Sequence, residues 1–132
     1  MVKWFAAATG LLLLAAGCGH SVKESQSVQG HWSGYNTKTP GAPCTVNITG
    51  NQFEYRGADP NQWARGTFVL REDVKPKQMD LTVLEPSNQS NQVLLAIYQL
   101  EGGQMTVAMS SVQRPVDFTP KPQIEVYHCK RD

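Results

Sequence analysis

The chain lacks an excess of charge of either sign. Its 132 residues carry 12 Lys and Arg against 11 Asp and Glu. No basic stripe runs through them, which argues against nucleic acid as a partner and against electrostatic docking on anionic lipid. Metal-binding spacing is also missing: the three histidines are His20, His31 and His128, and no His-x-x-His or Cys-x-x-Cys occurs. A dedicated zinc site is therefore not expected, and no other cofactor is implied. The serines include none in a nucleophile elbow. The acids Glu54, Asp59, Asp80, Glu85 and Asp117 are scattered over turns and polar strand faces, with nothing marking a general acid and base. The expectation is a non-enzymatic protein without catalytic residues. Long hydrophobic runs are scarce as well. The one at the start, Trp4 to Ala16, is broken by Thr9 and Gly10 and is shorter than the roughly 20 residues needed to cross a bilayer.

What that run does carry is a basic start at Lys3, a short apolar core and small residues before a cysteine. This is the pattern of a secretory signal peptide. Leu14-Ala15-Ala16-Gly17-Cys18 resembles the lipobox of bacterial lipoproteins, although Leu is more usual where Ala15 stands. The resemblance implies that Cys18 is acylated and becomes the first residue of the mature chain. The organisation expected is a lipoprotein signal peptide over 1–17, a lipidated tether over 18–28 and one domain over 29–132. Removing 17 residues from 132 leaves 115, enough for a single core. Gly19 in place of Asp mildly favours the outer membrane, so the expected location is the cell envelope, with the lipid on Cys18 as the membrane partner.

Cysteine is sparse, at three residues. With Cys18 given to the lipid, Cys44 and Cys129 remain in an oxidising compartment, and a disulfide between them is expected. It would close a long loop for about 4–5 kcal/mol in the chain-entropy account. Strand parity speaks against it. Cys44 shares a face with Val46 and Ile48, which should point inward. Cys129 shares a face with Glu125 and Tyr127, whereas Ile124, Val126 and His128 read as the inner set. A frayed start after Pro43, or a bulge in the last strand, would bring the sulfurs to one side.

From Gln29 onward apolar and polar residues alternate with period two, and turn residues separate the runs. Cys44 to Thr49 and Phe53 to Arg56 flank Gly50-Asn51, a hairpin signal. Further runs are residues 62–71, Met79 to Val83, Val93 to Leu100, Met105 to Met109 and Ile124 to Lys130. Val93 to Leu100 is the most apolar run, and Gly102-Gly103 after it favours a strand entering a tight turn. Pro115, Pro120 and Pro122 keep residues 111–122 out of a central strand. With Gly30–Asn36 counted first, about eight short strands result and no convincing helix. An antiparallel eight-stranded up-and-down barrel is the economical all-β solution, because closure removes exposed edges. A two-sheet sandwich is the alternative.

Gly30-His31-Trp32 at the first strand and Lys130-Arg131 at the last resemble the lipocalin-like arrangement. There a Gly-x-Trp lays its indole across the closed end of the barrel and a basic side chain covers the ring. Ala64-Arg65-Gly66-Thr67-Phe68-Val69-Leu70, Lys75 to Thr82, Ala96 to Gly102 and Arg114-Pro115-Val116-Asp117-Phe118 follow in an order similar to one particular family. It comprises small exported lipocalin-like domains abundant in planctomycetes and relatives. The resemblance spans residues 29–131. It implies the barrel, with Gly30, Trp32, Lys130 and Arg131 at its closure, and brings no particular activity.

An eight-stranded barrel is just wide enough to be filled by its own side chains or to hold one small ligand. The candidates to line it are Phe53, Tyr55, Phe68, Leu70, Met79, Leu81, Met105, Val107 and Met109, with Val46, Ile48 and Val83. Three functions follow. The first is a lipid-anchored protein binding a small apolar ligand. The second is a protein-interaction or hydrolase-inhibitor module working through its loops, and the third a structural envelope lipoprotein.

Overall fold

Alternation becomes strand along nearly the whole domain: β1 (Gly30–Asn36), β2 (Pro43–Thr49), β3 (Gln52–Arg56), β4 (Trp63–Arg71), β5 (Lys77–Glu85), β6 (Gln92–Glu101), β7 (Gln104–Ser110) and β8 (Glu125–Arg131). The computed structural model describes residues 27–132. The expected signal peptide, the lipid-bearing Cys18, His20 and most of the tether lie outside the described residues. Each strand runs antiparallel to the next and β8 returns to pair with β1, so the sheet closes into an up-and-down barrel. A sandwich is ruled out by that closure. Among the described residues no helix is long and apolar enough to cross a membrane.

β5 shows the pattern most cleanly. Met79, Leu81 and Val83 are buried inside, while Asp80 and Thr82 between them point out. β6 is apolar on both faces. Leu94, Ala96, Tyr98 and Leu100 join the interior, while Ile97 belongs to a second cluster with Ala108 and Val126. That second cluster lies on the outside of β6, β7 and β8, covered by Phe118 and Ile124 from the long β7–β8 connection. The connection is fastened by Arg114, which donates to Asp80 Oδ1 at 2.6 Å and to the Ala96 carbonyl at 2.9 Å. Its prolines keep it out of the sheet, so it lies across the strands as a strap.

The strap corrects the expected parity of the last strand. Val126 is apolar because it lies under the strap, and Ile124 because it belongs to the strap and packs on the outer cluster, not because they point inward. The inner set on β8 is Tyr127 and Cys129, both packed into the interior cluster, and His128 is exposed outside. Cys44 and Cys129 therefore share the inner face, yet the expected disulfide is absent: both thiols are free and buried. Register gives the reason. Gly34 pairs with Cys44 on one side and with Cys129 on the other, so β1 runs between them. Two strand spacings put their Cα atoms about 9–10 Å apart, beyond the roughly 7 Å that a disulfide spans.

Two glycines let neighbouring strands approach more closely than a side chain permits. A Cβ on Gly34 would lie 2.1 Å from the His128 carbonyl oxygen, and one on Gly66 1.9 Å from that of Thr82. Gly66 also marks the register shift between β4 and β5, where a bulge bends the sheet. Val28, placed in the tether by its polar neighbours, is fully buried and belongs to the core.

Candidate functional site: the barrel cavity

One end of the barrel is closed. Trp32 is fully buried across it, and its indole N–H donates to the Val28 carbonyl at 2.9 Å. The Arg131 guanidinium lies over the ring, 4.3 Å from its centroid, and also donates to the carbonyls of Ser27 and Gln29. Gly30 leaves the space this needs, since a Cβ there would meet Arg131 at 3.1 Å. Lys130 does not share the role; it is exposed and pairs in register with Ser33 on the outer face. The Gln29 side chain clamps the β2–β3 turn through both atoms of its amide, at 2.8 and 2.7 Å from Gly50. Asp132 then holds His31 at 2.9 Å and accepts from Ser33 Oγ at 2.8 Å.

Above that plug the barrel is not filled. A cavity of ≈ 210 Å³ opens toward the other end. Of the side chains expected to line it, Val46, Ile48, Phe53, Tyr55, Met79, Leu81, Val83, Met105, Val107 and Met109 do so. Phe68 and Leu70 do not. Phe68 is buried in the core, with Leu70 packed against it, so both support the wall without reaching the void. The sequence missed Ala64, Gln89, Gln92, Leu94, Tyr127 and Cys129. Tyr127 and Cys129 were hidden by the parity error. Gln89 sits in a 3-10 turn of the β5–β6 loop (Ser87–Gln89), where no periodicity could have placed it.

The mouth is polar but uncharged where it meets the void. Tyr55 and Tyr127 stand edge to face, ring centroids 6.1 Å apart at 77°. Burial pushes both phenols up, Tyr127 well above the usual tyrosine range, so both stay protonated at neutral pH. Burial likewise pushes the Cys129 thiol up to about 12, and raises that of Cys44. These are inert hydrophobic thiols rather than nucleophiles.

The scattered acids all have structural partners. Glu54 accepts from Arg65 at 2.6 Å, and that bond holds its carboxyl below the usual range. Glu85 stands 3.7 Å from Arg65, and Asp80 holds Arg114. Asp59 and Asp117 cap turns, each accepting a backbone N–H two residues on at 3.0 Å. Among the described residues no group of three His, Cys, Asp or Glu could hold a metal ion. No protein-family model, no curated protein and no solved structure matches this chain.

Proposed function

We propose that this chain is a non-enzymatic, lipid-anchored envelope protein whose barrel takes up a small apolar ligand. The observation that carries the reading is the ≈ 210 Å³ void, lined among the described residues without a single charged side chain. Protein interiors are packed to crystal density and hold few voids larger than a water. A dry cavity of about 150 Å³ already admits benzene. A void of this size, open at one end, suits a ligand better than it suits a core. The three methionines on its wall make an adaptable lining.

Membership in the lipocalin-like group is part of the same proposal, supported by the order Gly30, Trp32, Arg131 around the closed end. Export and acylation rest on the run from Leu14 to Cys18. The test is ligand-observed NMR of the full chain with toluene, beside the variant Val107→Phe, which fills the void from its wall. Toluene should bind the parent and not the variant, with the fold of both monitored by circular dichroism. A parent that ignores toluene is a structural envelope component instead.

A further inference from the structure

Polar side chains gather at the cavity mouth. Asn36 and Tyr127 are partners in the β1–β8 ladder and so share the inner face. Glu125, two residues before Tyr127, shares it too. An amide nitrogen can only donate. That of Asn36 donates to Glu125 Oε2 at 3.1 Å. Glu125 is held in addition by Lys38 Nζ at 3.1 Å. Tyr127 stands edge to face against Tyr55, ring centroids 6.1 Å apart, and both line the void. Tyr55 is paired with Val46 on β2 and Ala64 on β4, both cavity residues. A phenol donates as well as accepts, and Tyr55 sits on a wall without a charged side chain, where its hydroxyl can donate to what enters the void.

We infer that the ligand is a neutral lipophile carrying one hydrogen-bond-accepting oxygen: an alcohol, ketone, aldehyde or ester, not a carboxylate or an amine. The inference rests on the ligand-binding reading above and narrows it. A carboxylate drawn into this void would lose its water and meet no cation on the wall, with the Glu125 carboxylate close by. An ammonium would lose its water for a carboxylate already occupied by Lys38 and Asn36. A neutral oxygen costs far less to desolvate and receives the Tyr55 hydrogen bond. Scaled from a void of about 150 Å³ that admits benzene, this one holds about eight or nine heavy atoms.

The experiment is calorimetric titration of the full chain at neutral pH with 1-octanol, octanoate and octylammonium, which share one tail. Toluene serves as a probe without a polar group. 1-Octanol should bind at least tenfold more tightly than either ion. Tyr55→Phe should weaken 1-octanol about three- to tenfold, the worth of one neutral hydrogen bond, and leave toluene unchanged. Unchanged toluene binding also shows that the variant's cavity is intact. Octanoate or octylammonium binding within threefold of 1-octanol overturns the inference while leaving the cavity reading in place. A Tyr55→Phe variant that binds 1-octanol as well as the parent overturns the role of Tyr55. Failure of toluene and all three chains alike removes the cavity reading itself.

Discussion

Replacing Trp32 by Ala empties the closed end of the barrel. The indole is fully buried, and truncating a buried Trp or Phe costs about 3–5 kcal/mol. Two losses add to that. The Val28 carbonyl, on a residue that is itself fully buried, forfeits the N–H that reached it at 2.9 Å, worth about 1 kcal/mol. The Arg131 guanidinium loses the ring 4.3 Å beneath it, worth about 0.5–1 kcal/mol at an exposed site. These terms overlap, so the expected cost is about 4–6 kcal/mol against a typical total of about 5–15 kcal/mol. The midpoint of thermal unfolding should fall by roughly 20–35 °C for a domain of this size. Trp32→Phe keeps most of the volume and loses the donor, at about 1–2 kcal/mol. Arg131→Ala should cost less than about 2 kcal/mol, because its bonds are made at the solvent-exposed rim. Urea unfolding followed by circular dichroism measures all three. A Trp32→Ala variant within about 1 kcal/mol of the parent would mean that the plug carries none of the stability assigned to it.

Gly34→Ala and Gly66→Ala should each fail to fold or lose more than about 3 kcal/mol, since the added methyl meets a carbonyl oxygen at 2.1 and 1.9 Å. Gly41→Ala, with nothing within 4 Å of its Cβ, is the control; expression and unfolding curves compare them. Thiol counting on the denatured, unreduced protein should find Cys44 and Cys129 both titratable, whereas in the native state at pH 8 both should react slowly. The raised thiol also sets a sign. Below its ordinary value of 9.0 both folded and unfolded chains hold the Cys129 proton; between there and about 12 only the unfolded chain releases it. Stability should therefore fall as pH rises through that window, and a flat profile there would contradict the burial. Arg114→Ala should free the strap at a cost of about 1–3 kcal/mol and raise hydrogen exchange on the outer sides of β6–β8. Unchanged protection at Ile97 and Ala108 would show that the strap is held by something else.

The barrel was legible because most strands are wet on one face. Met79, Leu81 and Val83 alternating with Asp80 and Thr82 leave one reading of β5, and Gly50 and Gly102 mark turns where backbones with φ of +63° and +60° are needed. Legibility fails where the outer face is dry. Under the strap, Ile97, Ala108 and Val126 are buried on the outside of the sheet, so apolar residues there no longer report which way is in. That is why the sequence of β8 gives the wrong parity. The disulfide failed for another reason. Cysteine count and compartment say nothing about the strand that runs between two residues on the same face. The void depends on how wall residues divide between filling and lining, as Phe68 and Phe53 do, and that division is set by barrel shape rather than by residue type.

The closed end has a consequence for the order of events when the chain first folds. Arg131 reaches Gln29 across 102 residues and Ser27 across 104, and the free edge of β1 is satisfied only by β8. A chain delivered N-terminus first, from a ribosome or through a translocation channel, cannot cover Trp32 until Arg131 has arrived. Hairpins β2–β3 and β6–β7 can form early and locally, but the seam between first and last strand is a non-local contact of the slowest kind. The β1–β8 seam is therefore the late contact of this barrel, with Arg131 acting as its latch.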